Sequence, residues 1–237
     1  MNEFLINALS TATNVTTFDP DQVDQLDDAE LLDESGTLRP MPSAWWAAKA
    51  PEQRAIFGNK HGIYAFPTHE AVSFVRDCIA GRERQTLEIG AGNGGWGKAL
   101  GIRSTDSFLQ RRPDVAAKYA SMRQPTVRYG SHVEKLEAIK AVRKYRPKIV
   151  LASWVTQKFR ADRFCMRGNA DGVDELRMLD MIEEYILIGN TEQHSDKMII
   201  EDIQRGVSRY MINGIMFEGV ASRALVGRDF IFHFKRK

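Results

Sequence analysis

From residue 68 onward, short apolar runs alternate along the chain with segments whose apolar residues recur every three or four positions. That recurrence is the period of an amphipathic helix, and a short apolar run bounded by glycine or polar residues is typical of a buried strand. The runs at 149–155 and 185–189 are apolar almost throughout, as in parallel strands that are buried on both faces. The alternation predicts an α/β protein.

Individual strands and helices can be placed from this pattern. The predicted strands lie at 86–89, 102–106, 126–129, 149–155, 185–189, 215–220 and 230–234. The predicted helices lie at 68–81, 96–100, 114–122, 132–146 and 173–182. The connection around 222–227 is too short for a helical crossover, so the last two strands are predicted to run antiparallel. We expect an open, mostly parallel twisted sheet with helices on both faces and an antiparallel C-terminal strand.

The first 67 residues have a different composition from the rest of the chain. Asp19-Pro20, followed by apolar residues at helical spacing, predicts an acidic amphipathic helix at about 20–34. Residues 39–67 contain five aromatic residues and four prolines, too aromatic for a solvated linker and too rich in proline for one long helix. We therefore expect residues 1–67 to form an extension that packs on a domain of residues 68–237.

Charge is distributed unevenly along the chain. The formal net charge is +2, yet residues 1–38 carry nine acids and no Lys or Arg, which leaves 33 bases against 22 acids in the remainder. This basic excess would suit an anionic cofactor, a nucleic acid or the acidic segment of the chain itself, and it is not gathered into one basic run.

The cysteines and the apolar content restrict the class of protein further. Cys78 and Cys165 are far apart and form no CxxC pair, so neither a disulfide framework nor a zinc site is expected and a reducing, cytoplasmic compartment is favoured. No uninterrupted apolar stretch reaches the ~18 residues that a membrane helix needs, so no membrane association is expected.

A glycine-rich loop follows the first predicted strand. Residues 86–97 read Thr-Leu-Glu-Ile-Gly-Ala-Gly-Asn-Gly-Gly-Trp-Gly. Glycine at Gly90, Gly92 and Gly94 removes every second Cβ, which lets the backbone turn sharply after a strand and approach a ligand closely. The loop is therefore the candidate binding site for a small cofactor.

Two families of cofactor-binding proteins have loops of this kind. Gly90-x-Gly92-x-Gly94, with Glu88 in the preceding strand, resembles the first motif of class I methyltransferases, which depend on S-adenosylmethionine (SAM), whereas Gly90-x-Gly92-x-x-Gly95 also satisfies the dinucleotide fingerprint. Nicotinamide domains usually carry an apolar residue where Glu88 stands. The antiparallel C-terminal strands and the size of the domain also resemble the Rossmann-like methyltransferases, so SAM is the expected cofactor.

The resemblance implies a cofactor site built from the loop and the ends of neighbouring strands. Asp106 would bond both ribose hydroxyls, because a carboxylate can accept two hydrogen bonds from a vicinal diol. A turn or N-cap carboxylate ahead of Phe108 is the alternative interpretation of Asp106. The family commonly has Gly-Asp at the adenine position, where this chain has Gly130-Ser131, and Ser131 would equally suit a helix N-cap. The implied cofactor-binding residues are Glu88, Gly90, Ala91, Gly92, Asn93, Gly94, Asp106, Ser131, His132, Val133, Ser153 and Trp154.

Few catalytic residues are expected, because methyl transfer is an in-line displacement that needs mainly alignment of its reactants, and a base only for a protonated acceptor. His194 is the candidate base, with an exposed loop position as the alternative interpretation. Tyr64 precedes the first core helix and is the other candidate for the catalytic site. The five histidines show no metal-ligand spacing, so no metal is expected.

The segment after the fourth strand bears on the methyl acceptor. Enzymes that methylate exocyclic amines of bases carry Asn or Asp followed by Pro-Pro and an aromatic residue there, whereas this chain has Ala-Ser-Trp-Val at 152–155. Nucleic acid is therefore disfavoured as a partner, and a small-molecule or protein acceptor is expected. A non-catalytic SAM-binding or scaffold protein is the main alternative, followed by an NAD-dependent enzyme or a nucleic-acid methyltransferase. The pattern leaves the oligomeric state open.

Overall fold

The computed structural model describes residues 23–122, 124–162, 168–207, 209–217 and 228–237. These residues contain a seven-stranded sheet in the order β3-β2-β1-β4-β5-β7-β6. The strands are β1 Thr86–Ile89, β2 Arg103–Asp106, β3 Glu134–Lys135, β4 Ile149–Ser153, β5 Glu184–Asn190, β6 Tyr210–Phe217 and β7 Asp229–Arg236.

Ten α-helices accompany this sheet in the described part of the chain. They are α1 Asp28–Leu31, α2 Ser43–Ala47, α3 Pro51–His61, α4 His69–Ile79, α5 Gly95–Leu100, α6 Pro113–Ser121, α7 Ala138–Tyr145, α8 Glu175–Leu179, α9 Thr191–His194 and α10 Met198–Gln204. Short 3-10 helices occur at Glu83–Gln85 and Leu109–Arg111.

The first five strands of the sheet are parallel, and β7 runs antiparallel between β5 and β6. Alternate residues of the central strands face two separate cores. Val150 of β4 packs with α7, α8 and α10, whereas Leu151 packs with α4 and α5 on the other side. The fold class expected from the sequence is confirmed in its architecture: the chain has a Rossmann-like α/β fold, with an open, mostly parallel sheet, helices on both faces and an antiparallel C-terminal strand.

Residues 23–67 contain a third apolar cluster beside this sheet. Trp46 is fully buried and stacks on Phe66 with ring centroids 4.0 Å apart, and Leu31, Leu38, Phe57 and Ile63 complete the cluster. The aromatic residues that distinguish the segment thus pack mainly on one another, close to the loop that follows β1.

The long acidic helix predicted at about 20–34 is wrong over the described residues. Only α1 is helical there, and residues 20–22 lie outside the described part of the chain. Leu32 is extended and bridges Leu38, while Asp33 accepts hydrogen bonds from the backbone N–H groups of Ser35 and Thr37. Short acidic side chains that bond nearby N–H groups compete with helix formation, and here they end the helix early.

Two predictions around the third strand are also wrong. Residues 124–130 contain no strand, and the third strand is β3, eight residues later than predicted. The helix predicted at 132–146 begins at Ala138, because the side chain of Glu137 caps it by accepting the N–H groups of Ile139 and Lys140. The N-cap alternative for Ser131 is therefore wrong as well.

The C-terminal strands are antiparallel as predicted, although β6 begins at Tyr210 rather than 215. Residues 218–220 of the predicted strand, and its connection at 222–227, lie outside the described residues. Among the described residues, no helix combines the length and the apolar character required to cross a membrane.

Candidate functional site

An open cleft of about 850 Å³ lies where the parallel strands end at their carboxyl edge. Its walls come from the loops that follow β1, β2, β4 and β5, and from residues 62–65 of the N-terminal segment. Open α/β sheets bind ligands at this edge, because the loops that connect strands to helices converge there.

The glycine loop takes its shape from left-handed backbone conformations. Gly90 and Gly94 have φ angles of 58° and 79°, a region that residues with a Cβ rarely adopt. A Cβ on Gly90 would lie 2.5 Å from Cγ1 of Val155, and one on Gly94 would lie 2.5 Å from Nε2 of His132. Packing against the protein itself thus demands glycine at both positions, in addition to any demand made by a ligand.

Asp106 joins this loop to the end of β2. Its Oδ2 accepts a hydrogen bond from the N–H of Gly92 at 3.0 Å, and its Oδ1 accepts one from the N–H of Phe108 at 2.8 Å. Burial raises the pKa of this carboxyl above its usual value, and the residue lines the cleft beside Gly90, Ala91 and Gly92. Asp106 thus ends β2 next to the loop, and its implied hydrogen bonds to the ribose hydroxyls stay a prediction.

Glu88 lies beneath the loop and does not line the cleft. Its side chain is 1% exposed, and Oε2 accepts hydrogen bonds from the N–H of Gly97 at 3.0 Å and from the hydroxyl of Ser104 at 2.6 Å. Burial raises the pKa of this carboxyl to about 8. The carboxylate thus ties β1 to β2 and α5, and its implied contact with a methionine ammonium stays a prediction.

Asn93 fastens the loop to the N-terminal segment. Its Oδ1 accepts the N–H of Leu38 at 2.8 Å, and its Nδ2 donates to the carbonyl of Gly36 at 2.9 Å. One turn further along α5, Lys98 pairs with Asp33 at 2.5 Å. Nothing in the local pattern distinguishes Asn93 as a cross-link, because its partners lie more than fifty positions away in sequence.

The three residues implied for adenine lie behind the loop and do not line the cleft. Nε2 of His132 is 3.2 Å from the carbonyl oxygen of Gly94, and Val133 is buried. Ser131 is exposed in the turn that precedes β3. His132 and Val133 thus support Gly94 from below.

Other residues form the cleft wall beyond Asp106, and sequence reasoning missed them. Val127 donates its N–H to Oε1 of Gln110 at 2.8 Å, and the N–H of Gln110 donates to the hydroxyl of Tyr129 at 3.2 Å. Tyr129 stacks on Phe108 with centroids 4.1 Å apart, and burial raises its pKa to about 12. The sequence pattern predicted a strand at 126–129, and a strand there gave no reason to expect Val127 and Tyr129 in a binding site. With Gly90–Asn93 and Asp106, they form what we call the glycine-loop half of the cleft.

A second group of lining residues, which we call the aromatic half, consists of Tyr64, Trp154 and His194. The ring of Trp154 lies nearly parallel to that of Tyr64 at a centroid distance of 6.0 Å, and meets the ring of His194 edge-on at 5.1 Å. Trp154 follows β4 with a φ of 56°, strained for a residue with a bulky side chain. Ser153, also implied for the cofactor, precedes it and lines the cleft.

His194 is 7% exposed and ends α9, so the exposed-loop alternative is wrong. Its Nδ1 lies 3.0 Å from the backbone N of Asn190. The same Nδ1 lies 3.3 Å from the carbonyl oxygen of Asn190, so this nitrogen has a backbone partner both as an acceptor and as a donor. The backbone of Asn190 therefore fixes the position of the ring.

Buried polar pairs support the aromatic half from behind. Asn190 caps α9 and donates through Nδ2 to Oδ1 of Asp229 at 3.0 Å. Lys197 borders the cleft, and its Nζ lies 2.6 Å from Oε2 of Glu175, with both side chains buried. The other carboxylate oxygen of Glu175 accepts the hydroxyl of Tyr185 at 2.6 Å. The charge of Lys197 is therefore compensated inside the protein.

In the described part of the chain, no three or more His, Cys, Asp or Glu side chains are grouped so that they could hold a metal ion.

Neither a protein-family model nor a curated protein matches this chain. Solved structures resemble it at low identity. An O-methyltransferase of tomaymycin synthesis from Streptomyces achromogenes, in complex with SAM, is 10% identical with a TM-score of 0.44 over 90% of this chain and 99% of its own. Precorrin-6y C5,15-methyltransferase from Geobacter metallireducens is 10% identical, with a TM-score of 0.38 over 72% of this chain and 89% of its own.

An rRNA methylase from Streptococcus thermophilus is 9% identical, with a TM-score of 0.37 over 70% of this chain and 96% of that one. Likenesses this weak support no transfer of substrates or residue roles. The fold assignment rests on the strand order.

Proposed function

We propose that the cleft binds SAM and that the protein transfers its methyl group to an acceptor held in the aromatic half. The observation that supports this most directly is the meeting of the glycine loop with the Asp106 carboxylate at the carboxyl edge of the sheet, on the wall of one cleft. The volume of about 850 Å³ lies within the range of ~300–1,000 Å³ common for small-molecule sites.

The residues of the glycine-loop half suit the parts of this cofactor. Asp106 would accept hydrogen bonds from the ribose diol while its bonds to Gly92 and Phe108 hold it in place. Val127 and Tyr129 offer the apolar and aromatic surface that an adenine ring needs. For adenine recognition we therefore replace Ser131, His132 and Val133 by Gln110, Val127 and Tyr129.

When bound, SAM supplies an electrophilic methyl carbon, whose bond to sulfur breaks with the electron pair left on sulfur as an acceptor lone pair forms the new bond. The protein would contribute alignment, exclusion of water and charge placement. The ring of His194, which borders the cleft beside Trp154, would contact the acceptor, and the acceptor proton would pass to solvent through the open side of the cleft. Tyr64 and Trp154 would form the wall against which the acceptor is aligned.

The N-terminal segment contributes to the proposed site. Through Asn93 and Lys98 it fixes the loop that would bind the cofactor, and Leu38, Ile63 and Tyr64 line the cleft itself. We propose that residues 1–67 function as an extension that completes the cofactor site of the domain at 68–237.

A SAM-binding protein without turnover is the second candidate, and the position of Glu88 favours it. A carboxylate held between Gly97 and Ser104 is withdrawn from the cleft, which leaves the ammonium of the cofactor without the partner that the resemblance implies. Such a protein would bind SAM through the glycine-loop half but would not align an acceptor.

Thermal shift and isotope labelling separate these candidates. A ligand that binds only the folded state raises its melting temperature, so SAM is expected to stabilise the protein and NAD is not. Stabilisation by NAD alone would overturn the proposal. Incubating the protein and methyl-labelled SAM with cell extract is expected to label an acceptor. Stabilisation by SAM without any labelled product would favour the non-catalytic candidate.

A further inference from the structure

We propose that the acceptor is a planar aromatic compound without an anionic group, bound by ring contacts with Tyr64, Trp154 and His194. This inference rests on the proposed function, because it treats the aromatic half as the acceptor site. It goes further by specifying the chemistry that this end of the cleft recognises.

Ring geometry is the first observation that supports the proposal. The three rings come from the N-terminal segment, the end of β4 and α9, yet they converge within 6.0 Å of one another between neighbouring centroids. Tyr64 and Trp154 are only half-buried and both border the cleft. Parallel and edge-on arrangements at these distances are the ones that aromatic rings prefer, and a planar ligand would extend the cluster in the same way.

The backbone of Trp154 provides the second observation. An L-residue with a large side chain pays a conformational cost at a φ of 56°, and such strain persists only where the surroundings impose it. Its backbone N–H donates to the carbonyl of Ile188 on the neighbouring strand at 2.9 Å. This hydrogen bond and the positive φ together hold the indole at the carboxyl end of β4, where it borders the cleft.

Charge at this end is the third observation. Lys197 borders the cleft but is ion-paired at 2.6 Å with buried Glu175, so it offers no net positive charge to an anionic acceptor. An acceptor without an anionic group suits such surroundings better than a phosphate or carboxylate, whose desolvation would find no opposing charge.

Ligand-observed NMR titration tests the proposal with three probes: 2-naphthol, its saturated counterpart decahydro-2-naphthol, and 2-naphthoate. Each probe is titrated with and without S-adenosylhomocysteine, whose own binding is measured separately by calorimetry. We expect 2-naphthol to bind at least tenfold more tightly than the other two probes. Loss of the planar ring removes the stacking contacts, and the carboxylate adds an uncompensated charge.

Three substitutions connect this binding to the named rings. Tyr64→Leu and Trp154→Leu are expected to weaken 2-naphthol binding at least tenfold, whereas Tyr64→Phe keeps a ring and is expected to bind within twofold of the parent. Trp45→Leu is the matched control, because Trp45 lies in the same N-terminal segment but does not line the cleft. Melting temperatures confirm that each variant is folded. If Trp154→Leu does not fold, the contrast between Tyr64→Leu and Tyr64→Phe still tests the role of the ring.

The proposal is overturned if decahydro-2-naphthol or 2-naphthoate binds as tightly as 2-naphthol, if Trp45→Leu weakens binding as much as Tyr64→Leu, or if 2-naphthol fails to bind under both conditions. Absence of S-adenosylhomocysteine binding would instead contradict the proposed function, because the probes are also titrated against the protein alone.

Discussion

The two halves of the cleft are built in different ways. In the glycine-loop half, the backbone conformation of the loop and one carboxylate from the adjacent strand determine where the lining residues lie. Most of these residues fall between Gly90 and Gln110 in sequence, and Val127 and Tyr129 are added from further along the chain. In the aromatic half, the three rings come from positions 64, 154 and 194. A local motif can therefore indicate the cofactor, whereas the acceptor site exists only after folding.

The largest loss of stability that we expect from a single substitution tests whether the loop depends on close packing. Gly90→Ala places a Cβ 2.5 Å from Val155, whereas Gly101→Ala, at a similar φ of 69°, meets no atom within 4 Å. Urea unfolding should show a loss of about 1 kcal/mol for Gly101→Ala from backbone strain alone, and of roughly 3 kcal/mol for Gly90→Ala, in which strain and overpacking combine. Equal losses would show that Val155 does not constrain the loop.

A somewhat smaller effect is expected where the loop meets the N-terminal segment. Asn93→Ala removes both side-chain bonds to residues 36 and 38 and leaves the N–H of Leu38 without its partner, at a cost of about 2 kcal/mol in unfolding free energy. Hydrogen exchange at the Leu38 amide should accelerate. Unchanged exchange at that amide would contradict the role of Asn93 as a cross-link.

The pH dependence of stability tests the buried position of Glu88. Its pKa of about 8 lies above the ordinary value of 4.5, so below about pH 4.5 the carboxyl is neutral in both states and its contribution is fully present. As pH rises from there to about 8, the unfolded state releases a proton that the folded state keeps, and the free energy of unfolding falls by up to ~1.4 kcal/mol per pH unit.

Glu88→Gln should remove this dependence, because an uncharged amide oxygen can accept the same bonds from Gly97 and Ser104. In chemical unfolding between about pH 5 and 8, the free energy of unfolding of the variant should increase relative to that of the parent as the pH rises. Glu30→Gln, on the exposed side of α1, is the control and should leave the slope unchanged. If the parent and Glu88→Gln have the same free energy of unfolding at every pH, the buried position of the Glu88 carboxyl is contradicted.

The smallest effect is expected from the partly exposed ion pair of Lys98 with Asp33. Such pairs are typically worth less than ~1 kcal/mol, so Lys98→Ala should lower the free energy of unfolding by no more than that. Salt titration checks this expectation, because screening should weaken the parent and leave the variant unaffected. A loss as large as that of Asn93→Ala would mean that charge, rather than the amide of Asn93, holds the segment.

Sequence reasoning succeeded where a pattern is local. The apolar runs of β4 and β5 and the acid that follows β2 could be placed because strand period and loop glycines act over a few residues. It failed at residues 124–130, where Gln110 and Tyr129 provide hydrogen-bond partners that only the folded chain brings close. The exposed loop position considered for His194 was also wrong. A polar residue that follows a strand is usually exposed to solvent, whereas the rings of Trp154 and Phe230 contact His194 and cover it.

Calorimetric titration of SAM into the parent protein, Asp106→Asn and Asp171→Asn is the most direct test of the proposed cofactor site. Asp171 also borders the cleft but is exposed and paired with Arg112, which makes it the matched control. The parent should bind one SAM per chain, Asp106→Asn should bind ~30-fold more weakly because an amide cannot replace both acceptor oxygens, and Asp171→Asn should be unchanged. No binding heat from the parent at millimolar SAM would contradict the assignment of the cleft.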